Sequence, residues 1–142
     1  MNKYREMDKR HQAEVQALPL GFAFSDEQFS NMMAKWGLTA GDTDKILKLP
    51  GGGFIQKKDA DQLHETLNRH EAEMKAAIDG DADGTGFVYE MFLCELNDHE
   101  FGYTEDPDDA LYALGYTLEQ VYEDEKLKRG FMKAVKKIRE EA

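Results

Sequence analysis

Apolar side chains recur at helical spacing along most of this chain, and glycine and proline interrupt the pattern at a few points. Capping residues mark several of the starts, as in Thr117 followed by Gln120. The pattern predicts helices over Lys3 to Leu18, Asp26 to Trp36, Asp59 to Ile78, Phe87 to Asn97, a short segment after Pro107, and Thr117 to Arg139. Residues 42–47 are expected to form a short helical turn. The chain is therefore predicted to be mainly α.

A small β element interrupts the helices. Residues 20–24 form a short apolar run directly after Pro19, and residues 50–53 read Pro-Gly-Gly-Gly before a second apolar run. Residues 20–24 and 53–57 are thus predicted to form a β-hairpin or two-stranded piece within an α+β fold. We expect one domain over residues 1–142, with residues 1–18 as a peripheral N-terminal helix and residues 116–142 as a C-terminal helix with a basic end.

Length and composition limit the class of protein. The chain has 142 residues, which suits one domain, and it has no apolar run near the ~20 residues of a membrane span. The first ten residues lack the apolar core of a secretion signal. Cys94 is the only cysteine, which excludes an internal disulfide and a cysteine-rich zinc site. We expect a soluble cytoplasmic protein that makes no contact with a membrane.

Charge is distributed unevenly. The net charge is -11, and residues 76–125 contain 15 Asp and Glu but no Lys or Arg, whereas residues 126–142 contain seven Lys and Arg. The acidic stretch repels phosphate backbones, which argues against duplex nucleic acid, and attracts a basic protein surface. It is otherwise a solvated surface that aids solubility. The predicted partner-binding residues are Asp106, Asp108, Asp109, Glu123, Asp124 and Glu125.

One segment matches the spacing of a calcium loop. Residues 79–90 read D-G-D-A-D-G-T-G-F-V-Y-E, which is the pattern D-x-D-x-D-G-x5-E of an EF-hand. The predicted metal ligands are Asp79, Asp81, Asp83 and Glu90, since calcium takes six to eight oxygens. Gly86 replaces the usual aliphatic residue at position 8, and no second loop accompanies the first. The alternative is a polar turn whose acids favour the start of the next helix.

No enzyme motif is complete. The glycines at 51–53 lack the phosphate-loop pattern, and His64-Glu65 lacks the second histidine of a zinc protease helix. Glu95 and His99 lie four residues apart and offer a metal pair for a cryptic metal enzyme, or a hydrogen bond within one helix. We predict no catalytic residues and no cofactor other than calcium.

Four stretches of the sequence carry a resemblance to a known group of proteins. They are Phe22–Phe29, Gly51–Lys57, Tyr89–Glu100 and Leu111–Tyr116. They are similar to a family of small, acidic, uncharacterised proteins that bacterial phages and integrative mobile elements encode. The resemblance implies an accessory gene, and such genes often encode inhibitors or modifiers of host machinery, including anti-defence proteins.

Three functions therefore remain open, one of which is the cryptic metal enzyme that would use Glu95 and His99. The first is a non-enzymatic interaction protein of a phage or mobile element that binds and modulates a host protein with a basic surface, with an anti-CRISPR-like inhibitor as one concrete form. The alternative is a single EF-hand-like calcium-binding module that uses the loop from Asp79 to Glu90.

Overall fold

The computed structural model describes residues 2–142, which contain eight α-helices and three β-strands. The helices are α1 (Lys3–Gln16), α2 (Asp26–Lys35), α3 (Ala60–Asp79), α4 (Phe87–Asp98), α5 (Phe101–Thr104), α6 (Asp108–Leu114), α7 (Leu118–Glu123) and α8 (Glu125–Glu141). The strands are β1 (Leu20–Phe22), β2 (Ile46–Leu49) and β3 (Gly53–Gln56).

The chain divides into two compact units. The first contains the residues up to Arg10 and Ala72–Ala142, and the second contains His11–Glu71. Among residues 2–142, no helix has both the length and the apolar character that crossing a bilayer requires.

Helix α4 forms the centre of the first unit. It is strongly apolar, and four of its side chains are fully buried. These four side chains are Val88, Met91, Phe92 and Leu96. They pack against buried residues from α5 to α8, and the ring of Phe92 meets the ring of Phe131 edge to face at 5.4 Å. A helix that is apolar on several faces has to be surrounded, and α5 to α8 surround α4.

The second unit contains the sheet. The strand order is β1-β3-β2 and all pairs are antiparallel, with Leu20 opposite Ile55 and Leu47 opposite Ile55 on the other edge. Ile55 is fully buried because it lies in the central strand and packs with Leu18 and Leu63. A second cluster joins α2 to the sheet through Met32, Met33 and Ile46.

The structure confirms a mainly α fold with a small antiparallel sheet, and it differs from the predicted elements at three places, one of which is α5, a helix that was not predicted. Residues 42–47 were expected to form a helical turn, but only Thr43–Lys45 is helical, and Ile46 begins a third strand. The C-terminal helix was expected to run from Thr117 to Arg139, but it is broken at Asp124, whose backbone is extended (φ -109°, ψ 114°). The single domain over residues 1–142 stays a prediction.

Candidate functional site

The acidic loop, residues 80–86, is shaped by its own aspartates. Both oxygens of the Asp81 carboxylate accept backbone N–H groups, from Gly84 (3.2 Å), Gly86 (3.1 Å) and Val88 (2.9 Å). Asp83 accepts from the amide (2.9 Å) and the hydroxyl (2.6 Å) of Thr85, and these bonds lower the pKa of Asp83 below its usual value. Both carboxylates therefore accept hydrogen bonds from backbone N–H groups of the segment that precedes and begins α4.

Cations from α8 lie on the same loop. Lys126 Nζ donates to the carbonyl of Ile78 (2.9 Å), Arg129 to that of Asp83 (2.7 Å) and Lys133 to that of Thr85 (3.0 Å). Lys133 also lies 4.1 Å from the centre of the Tyr89 ring. Two carbonyl oxygens of the loop, and that of Ile78 in the last turn of α3, are therefore already bound by ammonium and guanidinium groups.

The two outer predicted ligands point to other partners. Asp79 pairs with Lys75 at 2.7 Å, which lowers the pKa of Asp79, and Glu90 Oε2 accepts the backbone N–H of Lys3 at 2.8 Å. Within residues 2–142, no three His, Cys, Asp or Glu side chains are grouped so that they can hold a metal ion. The structure thus does not bring the four carboxylates together, and calcium binding stays a prediction.

The first predicted acidic cluster lies at the start of α6. Asp106 accepts the backbone N–H of Asp108 (2.9 Å), so its carboxylate shapes the turn before the helix. Asp108 and Asp109 are exposed in the first turn of α6. Tyr112 lies four residues after Asp108 and three after Asp109, on the same side of the helix, and 86% of its surface is exposed. We call Asp108, Asp109 and Tyr112 the α6 face.

The second predicted cluster spans the junction of α7 and α8. Asp124 Oδ1 accepts the backbone N–H of Leu127 (3.0 Å) and so caps α8, while Glu123 and Glu125 are exposed on either side. Asp106 and Asp124 therefore have local structural roles, and the other four acids of the prediction project into solvent.

Exposed aromatic side chains within the acidic stretch are the part of the site that sequence reasoning missed. Tyr103 is 90% exposed and Tyr112 is 86% exposed. Helical spacing from Asp108 identifies Tyr112 as a neighbour of the acids, and the burial of Ala110 and Leu111 on the opposite side explains why Tyr112 faces out.

A groove runs along α8 and encloses about 710 Å³, which is the size of many ligand pockets. Its lining is mostly apolar and comes from Phe101, Leu118, Tyr122, Phe131, Met132 and Val135. The cations Lys133, Lys136 and Arg139 line its α8 side, and Arg139 is bound to the Glu105 carboxylate at 2.7 Å. We call this feature the α8 groove.

Glu95 is buried and His99 is partly buried, and both have polar partners within the fold. Glu95 Oε1 accepts the hydroxyl of Tyr4 (2.6 Å), and His99 Nδ1 lies 2.8 Å from the backbone oxygen of Glu95. Burial and this bond to Glu95 raise the pKa of Tyr4 well above its ordinary value, and burial raises the pKa of Cys94. Each of these groups is explained by partners inside the fold.

The chain belongs to the family of unknown function DUF7659, whose family model matches residues 3–137. No curated protein and no solved structure matches the chain.

Proposed function

For this member of a family of unknown function, we propose a non-enzymatic interaction protein whose α6 face binds a basic surface of another protein. The observation that carries the proposal is Tyr112, an aromatic side chain 86% exposed beside two exposed carboxylates. Tyrosine is enriched in protein interfaces because its ring contributes a large contact area and its hydroxyl keeps a hydrogen-bonding group.

The helix itself explains why these side chains stay outside. Ala110 and Leu111 are buried in the core of the first unit, which fixes the orientation of α6. Asp108, Asp109 and Tyr112 then project together from the opposite side. The face is held by a packed helix, so little conformational entropy is lost when a partner binds.

Charge supports a basic partner. The α6 face lies within residues 76–125, which contain no Lys or Arg, so no cation of the neighbouring sequence neutralises it. A cluster of negative charges speeds association with a positively charged surface. It also repels acidic surfaces and phosphate backbones. Tyr103, 90% exposed in α5, is a second exposed aromatic side chain in the same stretch of sequence.

The test compares two triple variants in affinity purification of the tagged chain from its native host. The α6 variant is Asp108→Asn, Asp109→Asn and Tyr112→Ala. The matched control is Glu65→Gln, Leu67→Ala and Glu71→Gln on α3, where the two acids are exposed and Leu67 is 45% exposed. Both variants lose two carboxylates and one exposed apolar side chain, and circular dichroism checks that both are folded.

We expect a lysine- and arginine-rich protein to be recovered with the wild type and with the control. Its recovery with the α6 variant falls by about tenfold or more, because an aromatic contact and two charges are lost. Equal recovery with all three chains, or recovery of acidic proteins alone, would reject the proposal. The mobile-element context, the anti-defence role and the calcium alternative rest on the sequence and stay predictions.

A further inference from the structure

A groove lies in the second unit, between strand β1 and helix α2. It encloses about 420 Å³, and its lining comes from β1 and from one side of α2. On that side of α2 the lining residues follow the spacing of one helix face, and they include Gln28, Asn31, Met32 and Lys35. In the described part of the chain, β2 and β3 contribute no lining residue, so the groove follows the outer edge of the sheet at β1. We call it the β1 groove.

Both walls of the β1 groove are fixed by packing. Helix α2 contacts β1 directly at Gly21, where a Cβ atom would lie 2.5 Å from Sδ of Met32 and 2.8 Å from Cζ2 of Trp36. Met32 is itself buried in the cluster that joins α2 to the sheet. The groove therefore has its shape before a ligand arrives, and little conformational entropy is lost on binding.

The backbone of β1 supplies hydrogen-bonding groups to this groove. The amide of Ala23 donates to the carbonyl of Gly52 on the side of β3 (3.1 Å), and the backbone groups of a strand alternate in direction from residue to residue. Leu20 and Phe22 therefore direct their N–H and C=O groups away from β3. The N–H of Leu20 donates to the Leu18 carbonyl (2.7 Å), so the N–H of Phe22 and the carbonyls of both residues face the open edge.

We propose that the β1 groove binds an extended peptide segment of another protein, which joins the sheet as a fourth strand beside β1. Backbone groups on an open edge strand pair readily with a further strand, and many peptide-binding proteins use this mode of recognition. In an antiparallel addition, the residue opposite Phe22 exchanges two backbone hydrogen bonds with it, and the carbonyl of Leu20 accepts a third. The open stretch ends at Phe24, whose N–H donates to Gln28 Oε1 at 2.8 Å, so the added strand is short.

Charge favours an acidic segment. Among the described residues that line the β1 groove, Lys35 alone is charged, and no residue of the described chain forms an ion pair with it. The acids Asp26 and Glu27 lie in the first turn of α2, at the opposite end of the helix. A carboxylate side chain of the peptide is therefore favoured at the Lys35 end of the groove.

The first experiment selects a cell-surface display library of random peptides against the immobilised full chain. Synthetic copies of the enriched peptides, with acetylated and amidated ends, are then titrated against the chain by fluorescence. We expect β-branched or aromatic residues at alternate positions, together with Asp or Glu. Failure to enrich any peptide overturns the proposal, and so does binding that requires a free C-terminal carboxylate.

Phe22→Pro tests the backbone contact. Proline is tolerated where the N–H faces away from the sheet, so this variant removes one donor from the edge and retains the bonds between β1 and β3. The matched control is Phe22→Val, which also removes the ring but keeps the N–H. We expect the dissociation constant of a selected peptide to be about tenfold higher for the proline variant than for the valine variant, because a peptide carbonyl loses its donor. Equal constants for two variants that are folded by circular dichroism would overturn strand addition.

Hydrogen exchange of the wild-type chain tests the same bond without a substitution. Bound peptide is expected to slow exchange of the Phe22 amide by about tenfold or more, since the amide becomes hydrogen-bonded. The amide of Ala23 is the internal control, because it is already bonded to Gly52. A Phe22 amide that exchanges equally fast with and without peptide overturns the proposal, even where Phe22→Pro does not fold.

Lys35→Gln tests the charge. We expect it to raise the dissociation constant by about twofold to fivefold, the effect of one exposed ion pair. Lys48→Gln is the control, because Lys48 is exposed on β2 and outside the groove, and it leaves the constant unchanged. Enriched peptides without Asp or Glu, or an unchanged constant for Lys35→Gln, would overturn the acidic partner.

The α6 variant, Asp108→Asn with Asp109→Asn and Tyr112→Ala, retains the β1 groove and is expected to bind the selected peptides like the wild type. Failure of peptide binding by the β1 groove is thereby distinguishable from failure of partner binding by the α6 face.

Discussion

Gly84 and Gly130 allow the acidic loop and α8 to approach each other with no side chain between them. A Cβ atom at Gly130 would lie 2.5 Å from the carbonyl oxygen of Gly84 and 2.6 Å from Cγ1 of Val88. A Cβ atom at Gly84, where φ is +87°, would lie 2.1 Å from the carbonyl oxygen of Lys126. Glycine in the middle of a helix is unfavourable, so its presence at residue 130 is explained by this contact.

Gly130→Ala is predicted to destabilise the protein although alanine is the better helix former. The gain in helix propensity is about 1 kcal/mol, and overpacking against backbone and a buried side chain costs more. We expect the free energy of unfolding to fall by about 1–3 kcal/mol, measured by urea denaturation. Gly41→Ala is the control, because its Cβ would meet nothing closer than Thr39 Oγ1 at 3.8 Å. A Gly130→Ala protein as stable as the wild type would contradict the close approach.

The sequence shows which carboxylates lie close together along the chain. It does not show which groups these carboxylates bind. The D-x-D-x-D-G spacing suits calcium, and it equally suits carboxylates that accept backbone N–H groups in a tight turn. Asp81 and Asp83 do the latter. Whether the loop binds calcium or forms a tight turn depends also on Arg129 and Lys133, which bind loop carbonyls from more than forty residues away. The spacing of the loop residues contains no information about these two cations.

At the level of elements, periodicity predicted the long helices because each has an apolar side that faces a core. The break at Asp124 was not predicted, although the apolar spacing is interrupted there, since the residues three and four positions after Val121 are Asp124 and Glu125. The signal that was present is Asp124 itself, an N-cap residue whose side chain accepts from Leu127. Strand β2 was missed because pairing with β3 determines it, and four residues carry too little local pattern.

The contacts of the acidic loop predict how calcium affects the stability of the protein. Removing the Asp81 carboxylate leaves three backbone donors without their acceptor, so Asp81→Ala is expected to lower the free energy of unfolding by about 1–3 kcal/mol. The loss should be the same in EDTA and in millimolar calcium, because Arg129 and Lys133 of α8 already bind two of the loop carbonyls. Thermal melts of wild type and variant in both buffers, with magnesium as a control, measure this.

The EF-hand alternative makes the opposite prediction in the same melts. A ligand at about 100 times its dissociation constant stabilises the folded state by about 2.7 kcal/mol, which raises the melting temperature by several degrees at this chain length. A calcium-specific rise in the wild type that Asp79→Ala abolishes would show that the loop rearranges to bind the ion. An unchanged melting temperature would identify residues 80–86 as a structural turn.

On the scale of the whole chain, charge is arranged by segment, and the segments of opposite sign lie in the same compact unit. Arg129 and Lys133 of the basic α8 bind carbonyls of the acidic loop, and Arg139 binds Glu105. The sequence shows the uneven distribution of charge, but it does not show which contacts the charged residues make. Some of the charged residues stabilise the fold through these contacts, and the exposed acidic residues on α6 and α7 are available to bind partners.

Buried acids make the stability of the first unit sensitive to alkaline pH. Burial raises the pKa values of Tyr4, Tyr116 and Cys94, and the bond to Glu95 raises that of Tyr4 further. In the unfolded chain tyrosine titrates near pH 10 and cysteine near pH 8.5. Their stabilisation is therefore fully present below those values and is lost as the pH rises, because the unfolded chain then releases protons that the folded chain retains.

Tyr4→Phe isolates one of these contributions. At neutral pH the variant is expected to be less stable by about 1–3 kcal/mol, because the buried Glu95 carboxylate loses its donor. From about pH 10 upward the wild type should lose about 1.4 kcal/mol more per pH unit than the variant, so the difference between them narrows. Urea denaturation from about pH 7 to pH 11 measures both curves. Tyr103→Phe is the control because Tyr103 is 90% exposed, and parallel curves for wild type and Tyr4→Phe would contradict the buried Tyr4–Glu95 pair.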